Sequence, residues 1–172
     1  AEARAIRERY GMRSAGVEAG FKLFKSADGL HWLVLCGVGK ARCAAATSVL
    51  HEVSAAPPWA VWLNVGICGH GVQPVGTVLM GHKLMDMATG RSFYPGLICG
   101  VPCETTTVMT VEEVETHYEQ PVAYEMEASA FFQAARSCTA VELIAILKIV
   151  SDNPQTAVEG ITRDRINHWI TE

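Results

Sequence analysis

An apolar run at residues 144–150, IAILKIV, stops abruptly on Ser151-Asp152-Asn153-Pro154. A run of that length, rich in β-branched residues, reads as a buried strand. A helical pattern precedes it at residues 126–136, entered through Glu125, Met126 and Glu127. A short strand at residues 122–124 comes before that. The stretch 122–154 is therefore one strand–helix–strand unit with acidic residues at both ends, each beside apolar sequence. Charges next to a core are costly unless they gain partners or shift their pKa. Whatever the chain folds into has to accommodate these carboxylates.

The rest of the chain repeats the alternation. Residues 1–10 (AEARAIRERY) favour a helix that Gly11 stops. Residues 21–25 and 30–36 read as a hairpin turning at Asp28-Gly29, the second strand (HWLVLC) apolar enough to be covered on both faces. Gly37-Val38-Gly39-Lys40 then opens a helix, ARCAAATSVLHEV, which Pro57-Pro58 ends. Residues 59–65 (WAVWLNV) read as a buried strand followed by a glycine-rich loop, residues 66–71. A further strand is expected at residues 75–80 and 83–87, turning at Thr89-Gly90, with a short apolar segment at 97–101 closed by Pro102. Residues 111–118 (VEEVETHY) read as an acidic helix, with Thr110 and Glu113 as a capping box. A last helix spans 163–170, capped by Thr162. Strands alternating with helices predict one α/β domain over residues 1–172.

Composition narrows the partners. The 172 residues carry a formal net charge of −4 and no basic stripe, so a phosphate-backbone partner is not suggested. A small neutral or mixed-charge ligand fits better. The longest apolar stretches are broken by Pro57-Pro58 or by Glu142 and Lys148, so no membrane span is expected, and no signal peptide is seen ahead of the first helical pattern. Six scattered cysteines without a CxxC pair read as reduced thiols in a cytoplasmic protein. Neither Cys68 with His70 nor Cys99 with Cys103 forms a recognisable ligand set, so no metal and no cofactor is expected.

The glycine turns and acids carry the candidate chemistry. Gly37 and Gly39 let the backbone turn and approach a ligand, while the following helix offers free N–H groups. The same sequence also suits a plain strand-to-helix turn. Gly66, Ile67 and Gly69 follow a strand, where open α/β sheets place ligands. Asp152 suits a general acid shielded from water, and equally an acid capping a turn. Glu125 and Glu127 suit the positive end of a helix, which explains one of them more easily than two around an apolar Met. A Rossmann-type site at Gly37-Val38-Gly39 lacks the acidic residue about twenty positions on that would take a ribose.

Taken together, GVGKARCAAAT, WLNVGICGHG-VQPVGTVL, YEMEASA and LKIVSDN resemble, in order, the motifs of the nucleoside phosphorylase and nucleosidase superfamily. The resemblance covers the chain from about Leu33 to Asn153. It implies a three-layer α/β sandwich with a mixed central sheet. It implies cleavage of the bond between a purine-type base and ribose, as in methylthioadenosine/S-adenosylhomocysteine nucleosidase. Asp152 would then be the general acid to the base. Glu127 would bind the ribose hydroxyls, Met126 would wall the sugar, and Glu125 would be a neighbouring family acid. Gly37, Gly39, Gly66, Ile67 and Gly69 would shape the site. Glu2 would match an acid that orients water, although AEARAI reads more readily as a helix with a solvated glutamate. Lys148 would stand where the family often has arginine, and a homodimer is implied.

Four departures from the family's pattern stand out. Asn64 stands where phosphorylases of this family place an arginine for phosphate, and Ile67 where many place a hydroxyl. Both favour water over phosphate as the nucleophile. The family's first strand has no counterpart here, and the stretch between Asp86 and Gly96 is short. Phosphorolysis, and nucleoside binding without turnover, are the alternatives.

Overall fold

Two parallel strands form the spine: β4 (Trp62–His70) lies along β9 (Ile144–Asp152), from Trp62 beside Ile144 to Gly69 beside Asp152. In the computed structural model, which describes residues 3–96, 103–156 and 161–171, the strand β4 runs straight through the glycine-rich stretch. Residues 66–70 are therefore strand and not loop, correcting the sequence reading. Glycine serves here for close approach: a Cβ at Gly69 would lie 2.4 Å from the Tyr118 ring and 2.7 Å from Asp152 Oδ2.

Around the spine, β5 (Val78–Asp86), β7 (Glu104–Thr110) and β8 (Ala123–Glu125) complete a mixed sheet. β5 pairs parallel with β7, and β7 with β8; β8 runs antiparallel to β4. β5 also pairs antiparallel with β9, from Val78 beside Ile149 to Met80 beside Leu147, so the sheet closes on itself like a barrel. The short β6 (Ser92–Phe93) adds to the outside of β5. β7 has no counterpart in the sequence reading, although its β-branched ETTTVMT favours a strand. Residues 97–102, including the expected apolar segment, lie outside the described residues.

A separate antiparallel sheet orders β1 (Arg13–Glu18), β2 (Phe21–Lys25) and β3 (Trp32–Val34). β1 was not expected, because all six of its residues are exposed and no apolar alternation marks it. Its turn, Ala19-Gly20, has positive φ at both residues, as a tight hairpin requires. β3 is shorter than expected and only half-buried, with Leu30 79% exposed. It is a sheet-edge strand, not one covered on both faces.

Helices flank the central sheet. α2 (Lys40–Ser54) and α3 (Ala128–Ala135) pack on each other, and α3 also contacts β4, β5, β7 and β9. α1 (Ala3–Arg9) packs on α4 (Arg163–Thr171), which reaches β9. The α/β class and mixed central sheet agree with the sequence reading. The helix expected at 111–118 does not: that segment has no regular structure. The reason lies in Thr110. Its hydroxyl donates to Glu125 at 2.7 Å and accepts the Ser129 N–H at 3.0 Å, so it serves α3 and is lost as a cap for a helix of its own. The main core joins Trp62, Leu79, Leu84 and Val108 of the strands to Phe131 and Phe132 of α3. Among the described residues no helix is long and apolar enough to cross a membrane.

Candidate active site

Gly69 near the end of β4 has a strand on either side: Tyr124 of β8 and Asp152 of β9. β8 runs on through Glu125 into Met126 and Glu127, and these enter α3. The fold thus places the two acidic motifs on the two strands that border one end of β4.

Glu125 is built in first. Its carboxylate accepts the N–H groups of Glu127 (3.0 Å) and Ala128 (2.8 Å) and the Thr110 hydroxyl, so it caps α3 from just ahead of it. Lys148 Nζ lies 2.9 Å from Glu125 Oε2, with side chains only 2% and 1% exposed. Burial works against the Lys148 ammonium, yet Glu125, and then Glu127, hold its pKa above the ordinary lysine value. Glu125, the neighbouring family acid of the resemblance, is thus engaged by protein donors.

Glu127 is freer. It is half-buried, and its Oε1 accepts the Gly39 N–H at 2.7 Å. Burial pushes its pKa up, opposed by that N–H and by Lys148. Gly39 makes this contact from a backbone at φ +97°, and Gly37 sits at φ +79°. The first glycine turn and the EME motif therefore meet. Lys40 turns aside to Asp86 (3.2 Å) and Glu112 (3.2 Å). Asp86 was not expected at the site. It is buried at the end of β5, and its carboxylate, despite burial, is held below the ordinary range by Ser129, the Thr89 N–H and Lys40.

Asp152 is 5% exposed. Ser151 Oγ donates to its Oδ1, and the Tyr118 hydroxyl donates to its Oδ2. Tyr118 is the residue that sequence reasoning missed, because it fell in the segment taken for an exposed helix. Burial first, then the bond to Asp152, raises its pKa. Its ring packs with Met109, Val111 and Tyr124 in a small cluster that Met126 also touches. The Tyr118 ring fills the space beside Gly69. Two open depressions of about 700 and 410 Å³ lie elsewhere, one against α2 and α3 around His51 and Cys138, the other beside Arg4 and Met12.

Gly66 is buried beside Lys148, and Ile67 is half-buried beside Ile149; both are strand residues. Asn64 is buried, and its Oδ1 has no hydrogen-bond partner among the described residues. Glu2 lies outside the described residues. Among them, no group of three or more His, Cys, Asp or Glu is placed to hold a metal ion.

No protein-family model matches the sequence, and no curated protein does. Solved structures do match. The methylthioadenosine/S-adenosylhomocysteine nucleosidase of Campylobacter jejuni superposes with TM-score 0.76 at 16% identity, covering 99% of this chain and 89% of that one. The nucleosidase of Helicobacter pylori bound to butyl-thio-DADMe-Immucillin-A gives 0.77 at 12% identity, covering 99% and 88%. Futalosine hydrolase of Helicobacter pylori gives 0.75 at 13% identity, covering 99% and 89%. This chain accordingly has the fold of the nucleoside phosphorylase and nucleosidase superfamily.

Proposed function

We propose that the chain hydrolyses the N-glycosidic bond of a purine-type nucleoside. The supporting observation is that Asp152 lies on β9 and the Met126–Glu127 segment leaves β8, the two strands that border the end of β4, with Gly39 donating to Glu127. In this reading Asp152 supplies a proton or hydrogen bond to the base at N7. The bond from the anomeric carbon to N9 breaks, the base keeps the electron pair, and a water oxygen adds to the sugar carbon, releasing its proton to solvent, from which Asp152 is reprotonated. Glu127 accepts hydrogen bonds from the ribose diol and favours the cationic sugar as it forms. Met126 packs against the sugar. Glu125 and Lys148 act behind Glu127, holding the start of α3 in place. Asn64 and Ile67 support water over phosphate, since neither is a cationic or hydroxyl anchor for an anion. Adenine nucleosides with a 5′ thioether are the first substrates to try, because nucleosidases of that specificity share the fold. A homodimer is a further proposal from the resemblance, and a cytoplasmic setting is one from the scattered cysteines.

A second reading, nucleoside binding without turnover, is favoured by one observation: the Tyr118 hydroxyl already occupies Asp152. Incubating the protein with a nucleoside panel, with and without phosphate, and measuring free base separates the readings. Phosphate-independent release is expected. Release only with phosphate would select phosphorolysis, and tight binding without release would select the binding protein.

A further inference from the structure

Tyr118 belongs to no element, yet it is 7% exposed and held at φ +45°. A bulky side chain rarely adopts that backbone region, so its surroundings must hold it there. They do so on every side. The ring lies 5.8 Å from the Tyr124 ring, packs with Met109 and Val111, and faces Gly69, where no side chain could stand. The hydroxyl donates to Asp152 Oδ2. What fills the end of β4 is therefore a flat aromatic ring presenting a hydrogen-bond donor to the carboxylate. A purine with a protonated ring nitrogen is likewise flat and likewise presents a hydrogen-bond donor.

We propose that Tyr118 is a built-in competitor for the base, occupying its place on Asp152 in the unliganded protein and leaving when a planar nitrogen heterocycle enters. The proposal rests on the reading of Asp152 as the base-facing acid. The segment that carries Tyr118 has the means to move. Residues 112–117 form neither helix nor strand and are mostly exposed; Val111 before them is buried and its N–H bonds the Glu125 carbonyl, while Glu112, 67% exposed at its side chain, adds a partly exposed ion pair to Lys40. Departure of the phenol frees Oδ2 while Ser151 keeps its hold on Oδ1. A site open for only part of the time shows an affinity reduced by that fraction.

Titration calorimetry with free adenine on the full chain tests this, comparing wild type with Tyr118→Phe and Tyr118→Ala. Tyr118→Ala is expected to bind adenine about tenfold more tightly, because the competitor is gone. Tyr118→Phe, which keeps the ring and loses only the bond to Asp152, is expected to bind about threefold more tightly. Equal or weaker binding in both variants overturns the proposal and makes the ring a fixed wall of the site. Should Tyr118→Ala fail to fold, equal or weaker binding by Tyr118→Phe overturns it alone. Adenine bound by none of the three proteins is a different result, and it overturns the base-site reading together with the proposal.

Discussion

Lys148 is the bulkiest of the fully buried side chains, and it is charged. Its only paired acid is Glu125, at 2.9 Å among the described residues. Taking both ions out of water costs several kcal/mol each, and removing one leaves the other uncompensated, a loss of about 3–5 kcal/mol. Lys148→Met should lower stability by about that much in urea unfolding. The double variant Glu125→Gln/Lys148→Met should lose less than the two single losses summed, because neither partner is stranded. Simple additivity would show that the pair is not coupled. His70 gives a second test. Its Nδ1 accepts the N–H groups of Val72 and Gln73, which shapes the turn after β4. Burial, against a pull from Glu104, holds its pKa below the ordinary histidine value. The unfolded chain therefore takes up this proton first, at about pH 6.5. Stability from His70 is present above that pH and is lost as pH falls from there towards the folded value. Melting temperatures between pH 7.5 and 5 should drop more for the wild type than for His70→Asn. Equal drops would contradict the assignment.

At the level of elements, the turn between β3 and α2 is the most instructive. Gly39 stands at φ +97°, ψ 156°, and a Cβ there would meet nothing within 4 Å. Gly39→Ala thus costs backbone strain alone, about 1–3 kcal/mol, and should show it in urea unfolding. Relaxing that strain moves the N–H off Glu127, so ligand affinity should fall too; loss of stability with affinity intact would separate the turn from the site. This turn was readable in the sequence because glycine spacing is local information. β9 and α3 were readable for the same reason: apolar run, helical period and stop lie within one segment. β4 beyond Val65 was misread, since the glycines there answer to Tyr118 and Asp152, which are distant in sequence. The segment 111–118 was misread because its capping threonine is claimed by a helix eighteen residues away from Thr110, at Ala128. β1, wholly exposed, left no apolar trace at all.

For the molecule as a whole, the decisive feature is closure. β5 pairs with both β7 and β9, and that ring fixes which strand ends lie together. Order along the chain predicted an α/β sheet but not this pairing, which joins residues about seventy positions apart such as Val78 and Ile149. Within that ring, the pairing of β4 with β8 and with β9 sets Asp152 on one side of β4 and the EME motif on the other, and the proposed chemistry depends on that placement. The direct test is the rate of base release from a nucleoside cleaved by the wild type, at saturating concentration, in Asp152→Asn. Asparagine keeps the size of the side chain and cannot give up a proton as the acid does. A fall of about 10²–10⁴-fold, with an unchanged melting temperature, is the expected result. A rate within twofold of the wild type would contradict the role assigned to Asp152 and, with it, the proposed reaction.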